Sequence, residues 1–246
     1  MPSRRRRRRR QKRWVRPIEP APWLWGALAL NLVVGLVFSP ATAMSHLRIV
    51  GAQPYDRDRL ADIAERIQHR PLLRVNGQAV QSEALENTAV VSASYRANLF
   101  GRGVLTVRYR RPVAAIVGRE RLYLSDRGTI FSSPHDFALT MSVDPPIDVD
   151  EENLAVFSGW QGGAAARMCV SITELLPRSE WLLKVSPTGY VRLESDGGVV
   201  EFGSFDKSEQ KVRKLADILS DDPDMLSSVT SLNLSEPTEP SYVPKK

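Results

Sequence analysis

Apolar residues form one long uninterrupted run near the start of the chain. Residues 23–43 (WLWGALALNLVVGLVFSPATA) contain no charged side chain, and only Asn31 interrupts the apolar centre. At about 1.5 Å of rise per residue, a helix over these 21 residues measures roughly the 30 Å of a bilayer's hydrocarbon core. The run therefore predicts a single transmembrane helix over 23–43.

The charges flanking this run predict its orientation. Residues 1–22 carry ten Lys or Arg against one acid, whereas residues 23–246 carry 24 Lys or Arg and 27 acids. Because basic flanks stay on the cytoplasmic side of a membrane, we expect a cytoplasmic N-terminus and an extracytoplasmic remainder at the cell (inner) membrane. The basic tail 1–22 is expected to be disordered, since like charges repel one another.

Two other interpretations of the apolar run stay open. Ala41 and Ala43 fit the small-residue pattern of a signal-peptide cleavage site, with a helix-breaking Pro40 before it. A buried core helix is the other alternative. The long basic leader and the length of the run favour a retained anchor over both.

Beyond the run, residues 46–112 read as a small domain. A short strand at 47–50 is followed by a helix whose apolar residues recur at helical spacing, and a brief second helix is expected at 82–86, after a turn at Asn76-Gly77. Strands follow at 89–95 and 104–110, where Leu105, Val107 and Tyr109 alternate with polar residues. The order is β-α-α-β-β. The apolar stripe of the first helix comprises Leu60, Ile63, Ala64 and Ile67.

Residues 113–235 read as a second, β-rich α+β domain. Strands are expected at 113–117, 121–125 and 128–132, then at 181–185, 190–193, 199–202 and 229–234. Helices are expected at 164–176 and after a capping box formed by Asp206 and Glu209. The prolines of residues 236–246 predict a flexible C-terminal tail. The fold class is therefore α+β, with the transmembrane helix preceding both domains.

Two short motifs give the chain a resemblance to a known family. Residues 104–114 (VLTVRYRRPVA) form a strand that ends in a charged pair followed by Pro-Val-Ala, and residues 123–131 (YLSDRGTIF) form a hairpin around an acidic turn and a glycine. With the strand and amphipathic helix behind the apolar run, they resemble the FtsQ/DivIB bacterial cell-division proteins, which have a POTRA domain followed by a β domain. Arg110 departs from the family's usual glutamate.

The resemblance implies a function. Members of this family are non-catalytic divisome scaffolds, which link cell-division proteins at the septum and help control septal peptidoglycan synthesis. Their terminal strand binds other single-span division proteins of the coiled-coil type. By position, the residues implied here are Ser231, Leu232, Asn233 and Leu234, with Tyr242 and Val243 as additions. An unpaired edge at this last strand can accept a partner's strand through backbone hydrogen bonds.

An alternative function is an envelope module for polypeptide export or outer-membrane assembly, as POTRA-type domains serve elsewhere. Such proteins usually carry several repeats or a C-terminal barrel. The chain shows one such unit, so the scaffold is favoured.

Catalytic chemistry finds little support in the sequence. The three histidines are scattered and match no metal-binding spacing, while Cys169 lies on an apolar helix stripe. We therefore predict no catalytic, cofactor or metal site and no small-molecule substrate. Nucleic acid is not an expected partner, because no aromatic platform accompanies the basic tail.

Overall fold

The computed structural model describes residues 22–38, 43–71, 74–98, 101–146, 160–176 and 179–245. Within them, the helices are α1 (Pro22–Phe38), α2 (Arg57–Ile67), α3 (Gly77–Leu85), α4 (Gly162–Leu175), α5 (Ser208–Asp221) and α6 (Met225–Ser228). The strands are β1 (His46–Val50), β2 (Val90–Ala97), β3 (Arg102–Tyr109), β4 (Pro112–Ile116), β5 (Leu122–Ser125), β6 (Ile130–Ser132), β7 (Met141–Asp144), β8 (Trp181–Val185), β9 (Val191–Ser195), β10 (Gly198–Gly203), β11 (Val229–Asn233) and β12 (Ser241–Pro244).

The transmembrane helix expected over 23–43 is a wrong prediction. Helix α1 has 17 residues, or about 25 Å of length, which falls short of the roughly 30 Å counted for the apolar run. Throughout the described ranges, no helix combines the length and the apolar character that crossing a membrane requires. Helix α1 ends at Phe38. Residues 39–42 and the basic tail before Pro22 lie outside the described residues.

The first three strands form a separate sheet in the order β1-β3-β2. Strand β1 is parallel to β3, and β2 is antiparallel to it. Helices α2 and α3 cover one face, where Leu105 and Val107 of β3 are buried. Helix α2 forms as its apolar spacing predicts, since its four stripe residues are all buried. The order of elements in this domain is β-α-α-β-β.

Helix α3 differs from its prediction because the residues read as a turn begin it. The side chain of Asn76 accepts hydrogen bonds from the backbone N–H groups of Gln78, at 3.0 Å, and Ala79, at 3.3 Å. Asparagine is a favourable N-cap, so the helix starts at Gly77 and not near Ser82. The added turn gives the domain a longer cover over β2.

The remaining strands form one nine-stranded mixed sheet. Its order is β12-β11-β10-β9-β8-β7-β4-β5-β6, with parallel pairs at β4–β7, β7–β8 and β10–β11. Strand β7, which the sequence pattern did not reveal, lies inside the sheet between β8 and β4, and its Met141 and Val143 are buried. Helices α4 and α5 contribute to the same apolar core as the sheet.

Helix α5 starts differently from the capping box expected at Asp206 and Glu209. Lys207 occupies the N-cap with a left-handed backbone (φ 54°), and no side chain caps the helix there. The apolar stripe nevertheless forms, with Val212, Leu215 and Leu219 buried.

The hairpin between β5 and β6 is fastened to the start of α4. Ser125 closes the turn, because its carbonyl accepts from the N–H of Gly128 (2.9 Å) and its hydroxyl accepts from the N–H of Thr129 (3.0 Å). Gly128 has φ +80°, and any Cβ there would overlap the backbone of Gly162 and Gly163. The glycines therefore allow a close approach of hairpin and helix.

An aromatic joint connects the two sheets. The ring of Tyr55, just before α2, stacks on His135 at 5.1 Å between centroids and meets Phe137 edge to face at 6.2 Å. Beside these rings, Thr88 donates from its hydroxyl to the carbonyl of Ser132 (3.0 Å) and accepts from the N–H of the same residue (3.0 Å). The small domain therefore docks on β6, the far edge of the large sheet.

A buried carboxylate sits beneath this joint. Asp56 is 3% exposed and accepts hydrogen bonds from Arg59 Nε at 2.7 Å and from the Tyr109 hydroxyl at 2.6 Å. Arg59 also donates to the carbonyls of Glu83 and Ala84, at the end of α3. Burial raises the pKa of Asp56, but the bonds from Arg59 and Tyr109 outweigh it and leave the pKa below its usual value.

Replacing Gly128 tests the close approach of the hairpin to α4. Gly118 is a matched control, since its φ is +70° and a Cβ there meets nothing within 4 Å. We expect Gly118→Ala to cost about 1–2 kcal/mol from backbone conformation alone. Gly128→Ala should cost at least about 3 kcal/mol, because the added methyl also displaces α4. Urea denaturation measures both, and equal losses would contradict the packing argument.

Replacing Asp56 tests the buried carboxylate through its pH dependence. We expect Asp56→Asn to lower the free energy of unfolding at neutral pH by about 2 kcal/mol, since charge-assisted hydrogen bonds are lost. The pKa of Asp56 is lower in the folded than in the unfolded chain, so the benefit is present above about pH 4 and is lost as pH falls through the folded-state pKa. Denaturation curves measured at neutral pH and at a pH below the folded-state pKa of Asp56 check this. Asp62→Asn, at an exposed position of α2, is the control. If Asp56→Asn still lowers the free energy of unfolding in acid, the assignment is contradicted.

Candidate partner-binding edge

The strand assigned to partner binding does not lie at the edge of the sheet. Strand β11 pairs with β10 on one side, where Ser231 aligns with Val199, and with β12 on the other, where Ser231 aligns with Val243. Leu232 is 1% exposed and Leu234 is fully buried, so both belong to the core. A partner meets neither side chain in this arrangement.

The edge strand is β12, within the segment 236–246 that the sequence analysis expected to be a flexible tail. Ser241, Tyr242, Val243 and Pro244 are all exposed. Strand β12 runs antiparallel to β11 and aligns Asn233 with Ser241 and Leu232 with Tyr242. A signal was present in the sequence, since Tyr and Val favour strands, but three residues between two prolines are too few for a periodic pattern.

The direction of the backbone groups decides what this edge offers. Successive residues of a strand point their N–H and C=O groups to opposite sides. The N–H of Lys245, directly after β12, donates to the carbonyl of Ser228 at 3.1 Å, so Lys245, Val243 and Ser241 face β11. Pro240, Tyr242 and Pro244 consequently face outward. The outward positions therefore offer one N–H donor, at Tyr242, because the two prolines have none.

The directions of the backbone groups in β11 are consistent with this assignment. The N–H of Leu234 donates to the carbonyl of Glu201 in β10 at 2.8 Å, so Leu234 and Leu232 face β10. By alternation, Ser231 and Asn233 direct their backbone groups toward β12.

Side chains extend the edge on both faces of the sheet. Directly opposed residues share a face, so Tyr242 lies on the face of Leu232 and Val243 on the face of Ser231. Tyr242 is 60% exposed and Val243 is 56% exposed. Of the six residues proposed from the sequence, Tyr242 and Val243 supply the accessible surface, whereas Ser231 and Asn233 support it.

Two lysines that the sequence analysis did not single out help to hold this end of the sheet. The ammonium of Lys245 donates to the carbonyls of Gly197, at 3.1 Å, and Ser227, at 2.9 Å, which ties the end of β12 to the β9–β10 turn and α6. Lys211 in α5 is 2% exposed and donates to the carbonyls of Phe202, at 2.7 Å, and Ser204, at 3.0 Å. Burial lowers the pKa of Lys211.

An apolar cleft of about 550 Å³ lies near this end of the sheet. Trp181, Leu219 and Leu226 supply apolar walls, and Ser195 and Ser227 supply hydroxyls. Ser227 is also the residue whose carbonyl holds Lys245, so the cleft neighbours the end of β12.

The residues considered for catalysis lie apart from this edge. Cys169 is fully buried in α4, and burial raises the pKa of its thiol, which disfavours the reactive thiolate. His46 lies on β1, His69 follows α2 with φ 61°, and His135 belongs to the aromatic joint. Among the described residues, no group of His, Cys, Asp and Glu side chains is placed to hold a metal ion.

No protein-family model matches this chain, and a search of curated proteins finds no match either. Its function must therefore be argued from its own residues and fold.

Proline substitutions test the direction of the β12 backbone. Tyr242→Pro removes an N–H that faces outward, so we expect the ladder with β11 to persist. Val243→Pro removes an N–H that faces β11, and the loss of this bond should open the pair locally. Hydrogen exchange at the amides of Ser231 and Asn233 reports on both, with acceleration of about tenfold or more expected for Val243→Pro only. The opposite result would reverse the assignment of the strand's two sides.

Proposed function

We propose that this chain is a non-catalytic scaffold of bacterial cell division, which links other division proteins at the septum and helps to control septal peptidoglycan synthesis. The observation that carries the proposal is the exposed edge at β12, where Tyr242 offers an outward N–H and C=O and an exposed ring. The resemblance of residues 104–114 and 123–131 to the FtsQ/DivIB family supports the assignment to division.

Strand addition is the mode of binding that this edge favours. A partner strand beside β12 bonds to the N–H and C=O of Tyr242 and to the outward carbonyls of Pro240 and Pro244. The side chains of Tyr242 and Val243 then contact the partner on opposite faces of the sheet. We propose the extracytoplasmic part of another division protein, of the coiled-coil type, as this partner.

The prolines make the edge selective. An exposed edge with a full row of donors pairs with many chains and promotes aggregation, and prolines remove donors from it. Since two of the three outward positions are prolines, backbone pairing alone is weak here. Specificity then depends on the side chains of Tyr242 and Val243, which favours one partner over unrelated strands.

The aromatic joint supports a linking role. The rings of Tyr55, His135 and Phe137 join the small domain to the edge opposite β12. The small domain and β12 are therefore connected through the large sheet. A protein bound at β12 and a protein bound to the small domain then keep a fixed separation. A scaffold that links two partners needs this property.

Photo-crosslinking in dividing cells tests the partner and its location together. A photoreactive amino acid at position 243 of a full-length fluorescent fusion should capture another division protein, and the fusion should form a band at midcell. The same group at exposed Asp217, on α5, is the control and should capture less of that protein. Uniform envelope fluorescence with capture of an outer-membrane assembly protein would instead support the export module.

Variants at Tyr242 separate the backbone from the side chain. Tyr242→Ala removes the ring and keeps the outward N–H, while Tyr242→Pro removes both. We expect Tyr242→Pro to weaken partner capture about threefold to tenfold beyond Tyr242→Ala, since one backbone hydrogen bond contributes about 0.5–1.5 kcal/mol. Equal capture by the two variants would exclude strand addition at this position.

A further inference from the structure

Among the described residues, one face of the small domain's sheet is covered by no helix. Helices α2 and α3 occupy the inner face, and the residues alternating with the buried ones point away from them. On this outer face Arg48 of β1 and Arg96 of β2 both align with Val104 of β3. Arg102 and Arg108 lie on the same face further along β3.

The charge on this outer face is uncompensated. Strands β1, β2 and β3 contain four arginines and no Asp or Glu. All four arginines are exposed, and within the described ranges their side chains take part in none of the ion pairs. The face therefore presents only positive charge.

The open face of the large sheet, by contrast, carries charges of both signs. There Lys184 lies 2.9 Å from Glu194, Arg192 lies 3.6 Å from the same carboxylate, and the Tyr190 hydroxyl donates to Glu201 at 3.0 Å. Opposite charges neutralise one another on that face, as on an ordinary solvated sheet. The arginines of the small domain have no such partners on their own strands, so the face fits an external anion.

The geometry of the outer face suits a flat anionic partner. Arg48 and Arg96 stand two strand spacings apart, or about 10 Å, while Arg102 and Arg108 stand six residues apart, or about 20 Å. Exposed Val104 lies between them. The strands' tyrosines, Tyr95 and Tyr109, pack against the inner face instead, so no ring is presented for stacking on nucleic-acid bases.

A nearby helix favours lipid over other anionic partners. Strand β1 begins at His46, eight residues after the end of α1 at Phe38. Helix α1 has no charged residue, and Trp23, Trp25 and Leu28 are each more than half exposed. Apolar side chains of this size are stabilised by contact with lipid. The apolar helix and the first strand of the flat cationic face are therefore close neighbours in the sequence.

We propose that the outer face of the small domain, through Arg48, Arg96, Arg102 and Arg108, docks on the anionic headgroups of a lipid surface. Each arginine near such a surface strengthens attachment about fivefold, and this effect weakens as salt screens the charges. Docking turns α2 and α3 away from the lipid and leaves them accessible. The inference does not depend on a role in division.

A local probe tests this docking without interference from the basic tail. The full chain carries an environment-sensitive fluorophore on Ser94→Cys, which is exposed on the outer face; Cys169 is fully buried and stays unlabelled. The protein is mixed with vesicles of phosphatidylcholine alone or with added phosphatidylglycerol. We expect a blue shift at position 94 only with phosphatidylglycerol, reversed by high salt, and no such shift for a fluorophore on exposed Ser220→Cys in α5.

Matched variants complete the test. Arg48→Gln with Arg96→Gln should abolish most of the shift, whereas Arg57→Gln with Arg70→Gln removes the same charge from exposed positions outside the face and should preserve it. Circular dichroism checks that each variant is folded. The proposal is overturned if both lipid mixtures give the same emission, or if the first pair keeps the shift. A shift with a single-stranded oligonucleotide or polyglutamate, but not with phosphatidylglycerol, would overturn it in favour of that partner.

Discussion

A buried carboxylate, Asp56, connects the elements on which the small domain depends. It binds Arg59 and Tyr109, and Arg59 in turn binds the last carbonyls of α3. One charge pair therefore joins the start of α2, the end of α3 and the end of β3. Leaving a buried charge unpaired is costly, so these three elements hold one arrangement. Tyr55 precedes Asp56 directly, and the same contact thereby positions the ring that meets the large sheet.

The two edges of the nine-stranded sheet have different surroundings. The small domain covers β6 at one edge of the nine-stranded sheet, and β12 forms the other edge. Within the described residues, this leaves β12 as the exposed edge of the nine-stranded sheet. The prolines around Tyr242 then reduce the number of donors at that site, so binding there depends on side chains as well as on the backbone. The two edges of the large sheet therefore differ in what they offer to another chain.

The open faces of the large and the small sheet differ in their charge. Lys184, Arg192 and Glu194 neutralise one another on the large sheet, while the four arginines of the small sheet have no acid on their strands. Exposed ion pairs contribute little to stability, and their main effect here is to neutralise charge on the open face of the large sheet. The cationic face lies on the domain that follows α1. Charge distribution, rather than fold, therefore distinguishes the surfaces available to partners.

Local patterns in the sequence determined the elements whose residues meet the core at a regular period. Helix α2 with Leu60 and Ile63, the alternation of β3, and the turn at Gly128 all follow from spacing that is visible in the chain. Only the tertiary structure decided the pairing of strands. Period alone does not say which strand lies beside β11, so the sequence placed Leu232 at an edge and left β12 in a tail. The bounds of α1, Pro22–Phe38, were likewise not readable from the apolar run, because such a run reports hydrophobicity and not the length of a helix.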